Sequence, residues 1–442
     1  MNYVFQHAHG PADVETHTND FLSFTFSGFF LTSILFQTVW AHTDFDWSTI
    51  EPTSNLSWVN CYSNYQFSAQ LKVPIDYSDE GGDKTALAVI KLSVQSETKY
   101  KGVVMMNLGG PGVSGVTTLV SEGPVLVSII GNQYDIISFD PCGVSNSTPR
   151  VEFFSSKEEH SLWLASSNHF TWAVNDPSDQ IPELWASAQV YWGFFYGMVL
   201  GPTFTAMFPD KIERMILDGV AEMDGYYSII DTEKDLLSFF DSCVAPGPDT
   251  CAFYTLTSKA ISNQLNAICQ SLLTKPVPVI SSSFYGVIDS TVLQMTIRST
   301  LYAPYISFSV LAEGLASLVA GNSSIIYTMQ AMYDPPSVYN DSWEVDVAIS
   351  CSNALSITES LEDLLVYWDR NMADPITPLF MAHKTSSTFP GSIVLAQNSS
   401  GHTSLVASSV CMHGYMQVYF QNGTLPDDGV VCDVETELFP GL

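Results

Sequence analysis

The sequence predicts an α/β protein, with a mostly parallel sheet covered by helices and interrupted by a helical insertion. Three observations carry this. Short apolar runs alternate with segments of helical spacing from about Ala86 to Leu217, the pattern of strands joined by crossover helices. Between about Glu222 and Trp343 helical patterns dominate and strand runs become rare. Strand character returns at Ser392–Ala396, so a core is left and then resumed.

In chain order, residues 1–41 read as a leader, 42–221 as the first half of the core, 222–345 as a helical cap and 346–442 as the second half. The leader contains Phe21–Trp40, twenty residues without a charge, behind a polar start that has no Lys or Arg. This predicts a cleaved export signal and a secreted protein. Its length also allows an uncleaved membrane anchor through 21–40, or a buried helix. The strand candidates are Ala86–Val94, Gly102–Met106, Tyr134–Phe139, Val190–Gly193 and Ile212–Leu217. Gly197–Met207 has helical spacing and stops at Phe208-Pro209-Asp210. Glu233–Asp241 and Leu311–Val319 are helical within the cap.

Composition excludes several functions. The chain has 442 residues, 46% of them hydrophobic, enough for a large core. Lys and Arg number 15 against 46 Asp and Glu, a net charge of −31. A nucleic-acid binder needs the opposite balance to neutralise phosphates. Six Asn-x-Ser/Thr triplets, at Asn55, Asn146, Asn322, Asn340, Asn398 and Asn422, suit export and glycosylation. The eight cysteines form no CxxC and no Cys/His cluster, so no metal site is expected. Cys243 with Cys251, and Cys411 with Cys432, flank short loops that disulfides would close. Buried free thiols are the alternative.

Three segments carry chemistry, each after a strand candidate. Asn107-Leu-Gly-Gly-Pro-Gly-Val-Ser-Gly115 has four glycines in nine residues. Such a loop brings backbone N–H groups close to a ligand and can stabilise an oxyanion. It lacks the Lys-Ser/Thr ending of a phosphate loop, and a plain structural turn is the other reading. Gly193-Phe-Phe-Tyr-Gly197 has the outline of a nucleophile elbow, Gly-x-Ser-x-Gly, with Phe195 at its centre. Phenylalanine has no lone pair with which to attack a carbonyl. Asp374, in Ala373-Asp-Pro-Ile-Thr-Pro378, and His402, in Gly401-His-Thr-Ser404, then follow in the order acid, histidine. Alone, one His in a loop is more often a surface residue.

Taken together these motifs resemble the α/β-hydrolase branch of prolyl and tripeptidyl aminopeptidases, especially the secreted fungal form. The glycine loop matches the family's Asn-Pro-Gly-Gly-Pro-Gly-Gly-Ser-Gly at seven of nine positions. Asp140-Pro-Cys-Gly-Val-Ser-Asn-Ser147 resembles Asp-Pro-Arg-Gly-Val-Gly-x-Ser, with Cys142 in place of Arg. Tyr191-Trp-Gly-Phe-Phe-Tyr-Gly-Met198 stands against Tyr-Trp-Gly-Phe-Ser-Tyr-Gly-Thr. The resemblance spans about Phe45 to Phe439. It implies an α/β-hydrolase fold with a helical cap, no cofactor, a short peptide or small molecule as substrate, Asp374 and His402 as catalytic groups, and the N–H groups of Gly110 and Tyr196 as an oxyanion hole.

The departures are as informative. The nucleophile position holds Phe195. Between the Asp140–Ser147 loop and the elbow strand, Val151–Gln189 is only 39 residues, where relatives carry a long segment that includes the helix packed before the strand. The apolar strand that relatives place before the acid is missing, with Leu364–Trp368 a candidate replacement, so an incomplete core is expected. Family cysteines are replaced by Ser68 and Thr403, which leaves Cys61 and Cys351 unpaired. The expected function is a degenerate member with little peptidase activity, kept for binding. The alternatives are a hydrolase working through His402 and Asp374, a repurposed small-molecule catalyst, or the product of a gene from which two segments were skipped.

Overall fold

The computed structural model describes residues 2–7, 45–62, 66–75, 79, 81–93, 100–150, 190–208, 211–220, 232–280, 285–333, 377 and 379–440. Ten strands form one sheet: β1 Asn2–His7, β2 Val59–Asn60, β3 Gln66–Pro74, β4 Lys84–Leu92, β5 Val103–Asn107, β6 Asp135–Phe139, β7 Val190–Phe194, β8 Arg214–Asp218, β11 Ile393–Asn398 and β12 Val431–Asp433. A separate hairpin pairs β9 Val277–Ile280 with β10 Tyr285–Ile288. The sheet order is β12-β11-β1-β8-β7-β5-β6-β4-β3-β2. Strands β6, β5, β7 and β8 run parallel, and β4 joins them antiparallel to β6. This is the α/β-hydrolase fold that the motifs imply.

Side-chain alternation explains how the sheet is covered. In β7, Val190, Trp192 and Phe194 face one core and Tyr191 the other. The first core is closed by α1 Gly115–Ile130 and α9 Val410–Asn422. Helix α1 buries Val116, Leu119, Leu126, Ile129 and Ile130, spaced as one helical face. Ser114 caps it by accepting from the Thr117 N–H. The second core is closed by α2 Gly197–Met207 and α8 Leu379–Thr388.

Among the described residues the insertion contains five helices: α3 Thr232–Val244, α4 Ser258–Thr274, α5 Ser290–Tyr302, α6 Pro304–Val319 and α7 Ser324–Tyr333. They share a core of their own around Phe239, Leu293, Phe308 and Leu311. Phe439, from the end of the chain, packs into it. Disulfides join Cys243 to Cys251 within this unit, and Cys411 of α9 to Cys432 of β12.

The structure differs from the sequence reading in the sheet. Asn2–His7, read as part of the leader, forms β1 between β8 and β11, antiparallel to both. The sheet therefore continues from β8 through β1 to β11. The candidate replacement Leu364–Trp368 and the apolar segment Phe21–Trp40 lie outside the described residues. Among the described residues no helix is long and apolar enough to cross a membrane. The reading also missed β3, whose Gln-Phe-Ser-Ala-Gln-Leu run pairs with β4 in a long antiparallel ladder.

Candidate active site

The described motif residues meet at the carboxyl ends of the central strands, where open α/β sheets place their ligand sites. Strand β5 ends at Asn107, β7 at Phe194 and β8 at Asp218. Phe195 follows at the apex between β7 and α2, with φ of 46°. That conformation is unfavourable for a bulky L-residue. Hydrogen bonds hold it: the Phe195 N–H donates to the Asp218 carbonyl at 2.9 Å, and the Met198 N–H donates to the Phe195 carbonyl at 2.9 Å. Tight helix–strand packing supports the turn. A Cβ on Gly201 would lie 2.2 Å from Tyr191 Cε1, and one on Gly193 would lie 2.5 Å from the Gly197 carbonyl oxygen. The buried Tyr191 hydroxyl donates to the Gly197 carbonyl at 2.7 Å.

The glycine loop packs directly on this elbow. Gly109, at φ +83°, makes the closest approach: a Cβ there would lie 2.5 Å from the Phe194 carbonyl oxygen and 2.9 Å from the Tyr196 nitrogen. The sequence singles out Gly110, but the Cβ position of Gly110 meets its own loop, at Val113 and Gly112. Gly109 is therefore the residue whose lack of a side chain allows the loop to pack against the elbow at Phe194 and Tyr196. Asn107 orients the loop by accepting from the Gly109 N–H at 3.0 Å. Asp140 anchors its far end, accepting from Ser114 Oγ at 2.7 Å and from the Val116 N–H at 3.0 Å. Burial pushes the Asp140 carboxyl up, and these hydrogen bonds pull it back.

His402 stands over the elbow from the loop after β11. Its imidazole meets the Phe195 ring edge-on, with centroids 5.2 Å apart and planes at 83°. The Tyr302 ring of α5 meets it edge-on from another side at 5.7 Å. Thr377 Oγ1 lies 3.4 Å from His402 Nδ1. Asp374 lies outside the described residues. The His402 N–H donates to the Tyr302 carbonyl at 3.0 Å, which ties the histidine loop to the cap.

The sequence reading missed Asp218. It is fully buried at the end of β8. Its carboxylate accepts from the Ser404 N–H at 2.9 Å and from Ser404 Oγ at 2.6 Å. Burial pushes its pKa up to about 6, against the pull of the Ser404 hydrogen bonds and of His402. An acid followed by Gly at the end of an apolar run was the available signal. Among the described residues no group of His, Cys, Asp and Glu is placed to hold a metal ion.

Of the glycosylation candidates, Asn55, Asn322, Asn398 and Asn422 are exposed, and Asn340 lies outside the described residues. Asn146 is half-buried, and its Nδ2 donates to Asp140 Oδ2 at 3.0 Å. This engages the nitrogen that a glycan would need.

The chain is similar to several known proteins. Residues 350–432 match the family of TAP-like proteins. The serine protease Hip1 of Mycobacterium tuberculosis is 22% identical over 456 residues, covering 82% of this chain and 86% of that protein. The tripeptidyl aminopeptidase of Streptomyces lividans is 22% identical over 206 residues, 38% of each chain. Among solved structures, a probable hydrolytic enzyme from Pseudomonas aeruginosa PAO1 aligns with a TM-score of 0.28 and 11% identity, over 73% of this chain and 84% of that one. The chain is an α/β-hydrolase by fold, similar to TAP-like proteins and to serine peptidases of that group.

Proposed function

We propose that this chain is a serine peptidase-like hydrolase in which the covalent step is lost, leaving a site that binds short peptides or related small molecules with little turnover. The observation that carries this reading is Phe195 at the elbow apex, its ring against His402. An elbow presents its central side chain to the substrate carbonyl. A phenyl ring there supplies no nucleophile and fills the space the carbonyl would take. Peptide recognition is supported by two of the relatives, a serine protease and a tripeptidyl aminopeptidase. A site keeping only its oxyanion donors and binding contacts retains roughly a thousand- to ten-thousand-fold acceleration over water, and the Phe195 ring lowers that further.

A second reading has its own observation. Gly109 packs closely on the Tyr196 amide, which supports an oxyanion site there, and a water activated by His402 would then replace the serine. One experiment separates the two. Aminoacyl and short peptidyl chromogenic substrates and a simple ester are offered to the wild type and to His402→Ala. Near-blank rates in both support the degenerate binder. Turnover that disappears in His402→Ala supports water activation and overturns the first reading.

We also propose that the protein is exported. The uncharged Phe21–Trp40 segment, the two disulfides and the exposed sequons support this. Recovery of the native protein in the cytosolic fraction, with Cys243 and Cys251 reduced, would refute it.

A further inference from the structure

We propose that Glu435–Phe439 is a strap that holds the cap down on the histidine loop, so that the cap lifts from His402 only when Phe439 leaves its seat. This goes beyond the proposed function and requires neither ligand nor turnover.

The cap reaches the loop through three consecutive amides. The Ser400 N–H donates to the Tyr305 hydroxyl at 3.4 Å, the Gly401 N–H to Asp235 Oδ1 at 3.3 Å and the His402 N–H to the Tyr302 carbonyl at 3.0 Å. Tyr305, Asp235 and Tyr302 lie on cap helices α6, α3 and α5. Gly401 also packs on the cap: a Cβ there would lie 2.5 Å from Pro304 Cδ. Ser404 turns the other way, its N–H donating to the core residue Asp218 at 2.9 Å. The seam between cap and core therefore runs through the loop between His402 and Ser404.

Hydrogen bonds of this kind each add little net stability, and a further tie comes from beyond β12. Its root is fixed to the core. Cys432 is buried and joined to Cys411 of α9, and the Ser409 hydroxyl donates to the Asp433 carbonyl at 2.6 Å. The Glu435 N–H donates to the Ser408 carbonyl at 3.0 Å, and the Glu435 carboxylate accepts from the Val410 N–H at 3.1 Å. Its tip is fixed to the cap. Phe439 is only 5% exposed, with the rings of Phe239 and Phe308 at 6.0 and 6.4 Å, and Leu438 packs against the same core.

The strap grips the helices that hold the loop. Phe239 lies one helical turn from Asp235 on α3, and Phe308 one turn from Tyr305 on α6. Three residues separate Glu435 from Phe439. So short a tether from a fixed root presents the ring to the cap at high effective concentration.

Native-state hydrogen exchange resolved to single amides tests this, because amides released by one local opening exchange together. In Phe439→Ala the Ser400, Gly401 and His402 amides are expected to exchange several-fold faster than in the wild type, while Ser404 keeps its rate. Phe439→Leu refills the seat and is expected to follow the wild type. Unchanged exchange at the three amides in Phe439→Ala overturns the strap. Cys269 of α4, packed against the cap core, separates opening from melting. If thiol labelling there rises along with the loop amides, the cap has come apart rather than lifted, and the proposal fails. Should Phe439→Ala not fold, Glu435→Ala decides, since it loosens the root and leaves the cap core intact. The same three amides are then expected to exchange faster, and unchanged rates refute the strap. Exchange needs no substrate, so failure of this inference and failure of the proposed function are separate results.

Discussion

The Phe195 ring meets the His402 imidazole edge-on, with centroids 5.2 Å apart. A general base in a serine hydrolase needs a hydroxyl within hydrogen-bond reach at that place, and here it faces carbon. The obvious repair is Phe195→Ser. It restores the atom but not the segment before the elbow strand, which is 39 residues long from Val151 to Gln189. Aminopeptidase turnover in Phe195→Ser is therefore expected to stay within a few-fold of the wild type. Robust activity would show that the rest of the site is intact.

Gly109 is expected to tolerate no side chain. Gly109→Ala places a Cβ 2.5 Å from the Phe194 carbonyl oxygen and adds the strain of φ +83°, a combined cost of about 2–4 kcal/mol. Gly391→Ala has a similar φ, +87°, with nothing within 4 Å, and should cost only about 1 kcal/mol. Chemical denaturation of both variants isolates the close approach from the backbone strain. Equal losses would mean that the loop does not pack on the elbow.

Ser68 lies diagonally across the β2–β3 pair from Cys61. Val59 pairs with Ser68, and the Cys61 N–H donates to the Gln66 carbonyl at 3.2 Å. Burial raises the Cys61 thiol, and the Ser68 hydroxyl lowers it. Ser68→Cys is expected to form a disulfide with Cys61 and to add about 2 kcal/mol from loop closure. Thiol counting and a melting curve with and without reductant check this; a free thiol pair in the folded variant would refute the register.

Two buried groups pull stability in opposite directions as pH changes. Burial raises Asp218 to about 6, while an unfolded Asp titrates near 4. Between about pH 4 and 6 the native state holds the extra proton, so this contribution falls as pH rises. Burial lowers His413 to about 4, while an unfolded His titrates near 6.5. From about pH 4 to 6.5 the unfolded state holds the extra proton, and this contribution grows as pH rises. Asp218→Asn should therefore make Tm climb more steeply from pH 4 to 6 than in the wild type. His413→Leu should flatten or reverse that climb. Superimposable profiles would show that neither group is coupled to folding.

Much of the fold was legible in the sequence. The runs at Ala86–Val94, Gly102–Met106, Tyr134–Phe139, Val190–Gly193, Ile212–Leu217 and Ser392–Ala396 fall on β4, β5, β6, β7, β8 and β11, and Gly197–Met207 is α2. These elements are local: side-chain period and a stop signal suffice to mark them. Strand β3 was missed because polar Gln66, Ser68 and Gln70 interrupt its apolar pattern, and those side chains are buried only in the assembled sheet.

The sequence alone marks the motifs, their chain order, the phenylalanine at the centre of the elbow and two candidate cysteine pairs, eight and 21 positions apart, which the structure joins. Only the tertiary structure decided that Asn2–His7 fills the strand position beside β8, that Gly109 is the glycine pressed on the elbow, and that Asp218 grips Ser404 across 186 residues of chain. The reason is physical. Periodicity and turn chemistry act between neighbours in the chain, whereas strand order, close approach and a buried anion's partners arise only when distant segments exclude water from one another.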